Sequence, residues 1–125
     1  MVPNDYAYFD YYQSKDVDKE PFGIGGFVDV AKVYSLDPTE GLTAEEGKKI
    51  IGVQANLWTE YITTFSHAQY MLLPRMAALA EVAWTPQADR EYSNFLNRAK
   101  LLTQRYEALG YNFAKHILQE AKSNE

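Results

Sequence analysis

The most informative hydrophobic pattern in the chain covers residues 50–57, where apolar side chains begin the segment on both parities. Such a pattern is typical of a strand that is covered on both faces, as in a parallel sheet flanked by helices. An aromatic-rich segment at 7–12 predicts a second strand. The stretch between them is far longer than a hairpin loop, which favours a parallel crossover. Short helices are predicted over 28–36 and, from the capping-box pair Thr43 and Glu46, just after residue 43.

Helical periodicity dominates the second half of the chain. The pattern is helical over 66–83, and Pro74 in its middle predicts that a helix begins there, because proline fits a first turn and breaks an interior. Apolar residues cover most of the circumference of that helix, so we expect it to be buried. A further helix is predicted over 90–109, with Gly110 in the position of a C-terminal cap. A last amphipathic stretch follows at 113–118.

Composition narrows the classes of function. The 125 residues carry a net charge of −5, which argues against a nucleic-acid binder with its clustered basic surface. The absence of cysteine excludes disulfides and a thiol nucleophile, and the two histidines lie too far apart for a local metal motif. No apolar run approaches the roughly 18 residues of a membrane span. No signal peptide is visible at the start of this chain, and its localisation stays open.

Two small clusters of side chains could bind a ligand. Tyr8 and Asp10 are two residues apart and would share one side of a strand, as would Asn56, Trp58 and Glu60 at the end of the predicted buried strand. Ligands of α/β proteins collect at the carboxyl ends of strands. An indole beside a carboxylate suits a pyranose ring, which stacks on the first and donates hydroxyl protons to the second. The alternative is that Trp58 caps a core and Glu60 is a solvated loop residue.

Three other residue types have structural interpretations. We expect Arg75, in an apolar helix, to pair with a buried carboxylate or with backbone carbonyls, and Glu81 is a candidate partner. His67 and His116 have no triad or ligand context, so we expect both at the surface or at an interface.

Two longer segments carry a resemblance to a known family. Residues 51–60 (IGVQANLWTE) and 70–84 (YMLLPRMAALAEVAW) resemble the C-terminal part of the family 20 glycoside hydrolases, the β-N-acetylhexosaminidases. Tyr8-Phe9-Asp10 resembles the Tyr-x-Asp strand of that family, and residues 33–38 resemble the segment that joins its last two strands. The resemblance implies an α/β fold in which residues 1–125 form the C-terminal segment of a (β/α)₈ TIM barrel. This partial barrel would contain the last two parallel strands, their helices and a C-terminal helical extension.

The resemblance also implies roles for four side chains. The family uses the 2-acetamido oxygen of its substrate as the nucleophile and retains configuration. Tyr8 matches the catalytic tyrosine that hydrogen-bonds the acetamido group. Asp10 matches a residue that binds sugar hydroxyls, Trp58 the tryptophan that packs against the sugar, and Glu60 the glutamate that binds the 4- or 6-hydroxyl. No metal or other cofactor is implied.

One part of the family pattern is missing. The catalytic Asp-Glu pair of the family lies on an earlier strand, and the sequence contains no Asp-Glu dipeptide. We therefore expect a fragment or subunit of a β-N-acetylhexosaminidase that contributes substrate-binding residues and is inactive alone. The alternative is a non-catalytic sugar-binding or self-associating remnant. The expected partners are an N-acetylhexosamine-containing glycan and either further copies of this chain or the missing N-terminal part of the barrel.

Overall fold

Helices make up the regular structure in the computed structural model, which describes residues 4–119. The helices are α1 (Asn4–Ala7), α2 (Val30–Tyr34), α3 (Ala44–Gly47), α4 (Phe65–Leu72), α5 (Arg75–Trp84) and α6 (Tyr92–Ala108), with 3₁₀ turns at Val17–Lys19 and Gln87–Asp89. Within this range no helix has both the length and the apolar character needed to cross a membrane.

Extended chain segments meet at two isolated parallel bridges. Tyr8 pairs with Asn56, and Tyr12 pairs with Phe27. The Asn56 N–H donates to the Ala7 carbonyl at 2.9 Å, which fixes the register of the first pair. Segment 7–12 therefore lies between the chain at 56 and the chain at 27, with the parallel sense that the crossover argument predicted.

The two predicted strands are wrong as continuous elements. Residues 4–7 form α1, and the chain turns directly after Tyr8, whose carbonyl accepts from the Tyr11 N–H at 3.3 Å. In the second segment Ile51 is fully exposed and Ile50 is 42% exposed. A strand is stabilised by ladder partners, and among residues 4–119 the segment 50–57 is bridged at Asn56 alone. The described residues are thus mainly helical, and a partial barrel stays a prediction.

The predicted helix boundaries are confirmed at several points. Helix α5 begins at Arg75 with Pro74 as its N-cap, after a cis Leu73–Pro74 peptide bond. Helix α6 ends at Ala108, close to the predicted 109, and Gly110 has the left-handed φ of +70° that glycine adopts without strain.

The short helices also agree with their capping signals. Thr43 Oγ1 accepts from the Glu46 N–H at 3.3 Å while Glu46 Oε2 accepts from the Thr43 N–H at 2.9 Å, so the predicted capping box opens α3. The helix predicted over 28–36 is α2, and the Asp29 side chain caps it by accepting from the Lys32 N–H at 2.7 Å.

The core lies where α2 and α6 pack beside α5. Helix α5 contributes Ala78, which is fully buried, but Met76 and Trp84 on its other side are 49% and 88% exposed. The prediction that α5 is buried around its circumference is therefore wrong for the described chain. The buried core cluster consists of Phe9, Val28, Val30, Val33, Tyr34, Ala78, Phe95, Leu96, Ala99 and Ile117.

Arg75 is fully buried and joins three parts of the backbone. Its guanidinium donates to the carbonyls of Phe9 at 2.6 Å and of Tyr11 and Val28 at 2.9 Å, and also to Met71 one turn earlier. Burial lowers the pKa of Arg75 to about 9, against the opposing charges of Glu20 and Asp10, so the side chain stays protonated at neutral pH. Arg75 thus fixes the carbonyls on either side of Asp10.

Glu81 is not the partner of Arg75. Its carboxylate accepts from Arg98 Nη2 at 2.6 Å and from the Tyr34 hydroxyl at 2.9 Å, which ties α5 to both α6 and α2. Of the two partners that the sequence left open for Arg75, backbone carbonyls are therefore the correct one. Burial and the Glu81 carboxylate together raise the pKa of Tyr34 to about 12.

Candidate functional site

One small cavity gathers three of the four predicted site residues. Asp10, Trp58 and Glu60 line it, although almost fifty residues of sequence lie between the first and the other two. The volume of the cavity is about 10 Å³. That volume accommodates about one water molecule or one hydroxyl group. The remaining walls come from Gly23, Ile24, Tyr61, Ile62, His67 and Met71.

Asp10 supplies a buried carboxylate to this cavity. It lies in the turn after Tyr8 and is 5% exposed, and its Oδ1 has no hydrogen-bond partner among residues 4–119. Its two chain neighbours are held through their carbonyls by Arg75. A buried acceptor without a partner is uncommon in proteins, so Asp10 is available to accept a hydrogen bond from a ligand group.

Trp58 and Glu60 follow directly from the pairing of Asn56 with Tyr8. The chain bends at Glu60, in a turn where the Ile62 N–H donates to the Thr59 carbonyl at 3.2 Å. Trp58 is 52% exposed and Glu60 is exposed, so an indole face and a carboxylate are both open to solvent beside the cavity. An exposed indole face of this kind can stack against the C–H face of a sugar.

Tyr8 takes a different position from the other three. It is not among the cavity-lining residues, and its ring packs edge-on against Tyr11 with 5.7 Å between ring centroids. The alternation argument for Tyr8 and Asp10 does not apply, because the backbone turns between them. The bridge to Asn56 nevertheless keeps Tyr8 two residues from Trp58 along the paired segment.

A glycine-rich loop closes one side of the cavity. The Tyr12 hydroxyl donates to the Gly23 carbonyl at 3.2 Å and accepts from the Gly23 N–H at the same distance. Gly26 has a φ of +73°, and a Cβ at this position would lie 2.5 Å from the Tyr11 ring. Only glycine fits there without moving Tyr11, so the loop path depends on this residue.

The buried Glu20 carboxylate holds the chain just before the glycine-rich loop. Glu20 Oε1 accepts from the Tyr70 hydroxyl at 3.0 Å and lies 2.8 Å from His116 Nε2. Burial and the charge of Glu20 both raise the pKa of Tyr70 above its usual value. His116 is therefore a half-buried member of a structural network and not a free surface residue, which corrects the sequence interpretation.

His67 is the site residue that sequence reasoning missed. It lies in the first turn of α4, where its N–H donates to Thr64 Oγ1 at 3.1 Å, and its side chain lines the cavity. Its Nε2 is buried and has no hydrogen-bond partner in the described part of the chain. The sequence predicted a surface or interface position, whereas His67 is half-buried. Neither spacing nor periodicity shows which residues at the start of a helix lie against a turn that is distant in sequence.

Known proteins resemble the chain in both sequence and structure. The sequence model for the glycosyl hydrolase family 20 catalytic domain matches residues 1–87. A beta-hexosaminidase from Porphyromonas gingivalis is 36% identical over 107 residues, covering 85% of this chain and 14% of its own length. A beta-N-acetylhexosaminidase from Cellulomonas fimi is 31% identical over 115 residues, covering 90% of this chain and 23% of its own length.

Solved structures give the same relationship. The family 20 beta-N-acetylhexosaminidase from Streptomyces coelicolor superposes with a TM-score of 0.80 at 28% identity, over 91% of this chain and 23% of that one. The Streptomyces plicatus enzyme, solved in complex with Thio-NAglucal, gives 0.79 at 30% identity over the same shares. The chain therefore spans less than a quarter of the length of each of these relatives.

Proposed function

This chain belongs to glycosyl hydrolase family 20, and from that premise we propose that it supplies part of the sugar-binding wall of a β-N-acetylhexosaminidase. In this proposal Asp10, Trp58 and Glu60 bind a terminal N-acetylhexosamine. The acid that protonates the leaving oxygen comes from outside residues 1–125.

One observation carries the proposal. Asp10, Trp58 and Glu60 match sugar-binding positions of the family, and they line one cavity although they come from two separate segments. Two carboxylates that accept hydrogen bonds and one indole that offers an apolar face are the complement of a pyranose, which has hydroxyl edges and C–H faces. A purely structural explanation of these residues does not require them to share a cavity.

The four side chains divide the work of binding. Trp58 stacks on the ring of the sugar, while Asp10 and Glu60 accept hydrogen bonds from its hydroxyls. Tyr8 lies outside the cavity against Tyr11, but its bridge to Asn56 keeps it beside the same segment. In the position of the family's acetamido-binding tyrosine, its hydroxyl would bind the 2-acetamido group, whose oxygen attacks the anomeric carbon in substrate-assisted catalysis. Each of these contacts holds the sugar, and none of them transfers a proton to the leaving group.

Binding without turnover is the expected behaviour of the purified chain. N-acetylglucosamine should show saturation transfer from the protein in ligand-observed NMR, and glucose, which lacks the acetamido group, should show less. Release of p-nitrophenol from the N-acetylglucosaminide should stay at the buffer rate, because residues 1–125 contain no Asp-Glu pair to orient the acetamido group and to protonate the leaving oxygen. Turnover that a thiazoline inhibitor blocks would contradict the division of roles, and absent saturation transfer would contradict the sugar site.

Exposed apolar side chains favour a second candidate, a self-associating module. Ile51 is fully exposed, and Trp84 and Phe65 are 88% and 80% exposed. Apolar surface of this kind is commonly covered in an assembly. Under this candidate, light scattering at tens of micromolar should give at least twice the mass of 14.3 kDa, and Ile51→Lys should lower that mass. A monomer of unchanged mass over the whole concentration range would exclude it.

A further inference from the structure

We propose that His67 is a further sugar-binding residue, and that its Nε2 and Asp10 Oδ1 together hold a single hydroxyl group. In the free chain this group is a water molecule. In the complex it is a hydroxyl of the bound N-acetylhexosamine, and this second part rests on the proposed function.

Asp10 and His67 each have one buried polar atom without a hydrogen-bond partner in the described part of the chain. Asp10 Oδ1 and His67 Nε2 are both buried, and both lack a hydrogen-bond partner among residues 4–119. Their side chains line the same cavity, although one comes from the turn after Tyr8 and the other from the start of α4. Buried polar atoms in folded proteins are nearly always paired with protein or with water. Two such atoms at one cavity therefore point to one shared partner.

The shared partner must both donate and accept a hydrogen bond. A carboxylate oxygen can only accept a hydrogen bond, whereas a neutral imidazole protonated at Nε2 donates one there. A hydroxyl group or water between them donates to Asp10 and accepts from His67, so both atoms are satisfied at once. The cavity volume of about 10 Å³ has room for about one such group.

The backbone that carries both side chains is held in place before any ligand arrives. Thr64 Oγ1 accepts from the His67 N–H and so holds the first turn of α4. Arg75 binds the carbonyls of the two residues that flank Asp10. A site whose groups are already in place loses little conformational entropy on binding, which favours recognition of a specific hydroxyl. Trp58 and Glu60 line the same cavity, so this hydroxyl lies at the edge of the proposed sugar site.

A crystal structure of the free chain tests the pairing without any sugar. We expect one ordered water within hydrogen-bond distance of both Asp10 Oδ1 and His67 Nε2. In His67→Phe, which keeps a planar ring and removes the nitrogen, that water should be lost or should contact Asp10 alone. A dry cavity in the wild-type chain, or a water that touches only one of the two atoms, would overturn the proposal.

Sugar titration tests the second part. His67→Phe should weaken binding of N-acetylglucosamine roughly tenfold, the size expected for one lost hydrogen bond to a buried group. Phe65→Ala, an exposed neighbour in the same helix turn, is the matched control and should leave affinity unchanged. Among the 3-, 4- and 6-deoxy analogues, one should bind wild type and His67→Phe equally, because it lacks the hydroxyl that His67 holds.

The outcomes separate this inference from the proposed function. If the bridging water is present but no analogue or parent sugar binds, the pairing stands and the sugar site fails. If N-acetylglucosamine binds with equal affinity to wild type and His67→Phe, the sugar site stands and His67 has no part in it.

Discussion

Replacing Arg75 with Met is expected to lower the free energy of unfolding by about 3–5 kcal/mol. The guanidinium is fully buried and donates to the carbonyls of Phe9, Tyr11, Val28 and Met71. Each buried carbonyl left without a donor costs about 1–3 kcal/mol, and removing one partner of a buried charged contact costs about 3–5 kcal/mol in total. Since small domains are stable by only about 5–15 kcal/mol, this change removes a large part of the stability.

Urea unfolding followed by circular dichroism measures the effect. Arg98→Met is the control, because Arg98 is 55% exposed and its 11% exposed partner Glu81 keeps its hydrogen bond from the Tyr34 hydroxyl, so we expect a smaller loss of stability than in Arg75→Met. Arg75→Lys should lower the free energy of unfolding nearly as much as Arg75→Met, because one ammonium group cannot donate to all the carbonyls that the planar guanidinium contacts. Similar unfolding midpoints for Arg75→Met and Arg98→Met would show that these hydrogen bonds do not hold the fold.

Replacing Trp58 with Ala is expected to weaken N-acetylglucosamine binding by roughly ten- to a hundredfold. The indole is 52% exposed beside the cavity, so it is available to cover one face of a sugar ring. Burying that much apolar area is worth about 1.5–3 kcal/mol, and each 1.4 kcal/mol changes affinity about tenfold. Because half of the side chain is already in solvent, the folded state should lose little stability.

Trp84→Ala is the control for this change. Trp84 is the other tryptophan of the chain and is 88% exposed, and it lies at the end of α5 in a groove with Phe95 and Arg98, away from the cavity. Calorimetric or NMR titration should give this variant the affinity of the wild type. Equal losses in the two variants would mean that Trp58 acts through general stability, and the role assigned to it would then be withdrawn.

Local signals in the sequence were sufficient for α3, the start of α5 and the end of α6. Pro74 placed the start of α5, Thr43 with Glu46 placed α3, and Gly110 placed the end of α6. These are contacts between residues within one turn of each other, so the sequence around them contains the whole interaction. The family resemblance of residues 51–60 and 70–84 could also be recognised from the sequence, because it depends only on the order of residue types.

Strands and buried partners were decided by the tertiary structure. The apolar segment 50–57 lacks the ladder that would make it a strand, because pairing depends on other segments, and among the described residues Tyr8 alone bridges it. Arg75 and Glu81 share a helix, yet Arg75 binds carbonyls from 9 to 28 while Glu81 binds Tyr34 and Arg98. A buried side chain pairs with the backbone groups that lack a donor once the chain has packed. Local spacing in the sequence does not show which groups these are.

The candidate site shows the same division. The sequence by itself indicated which residues have side chains suited to binding a sugar, namely Asp10, Trp58 and Glu60, because an indole and carboxylates have those properties in any fold. Only the tertiary structure decided that they share a cavity, that Tyr8 faces Tyr11 instead, and that His67 joins them. The reason is geometric: the turn after Tyr8 and the start of α4 bring together residues almost sixty positions apart, and a cavity exists only once both are in place.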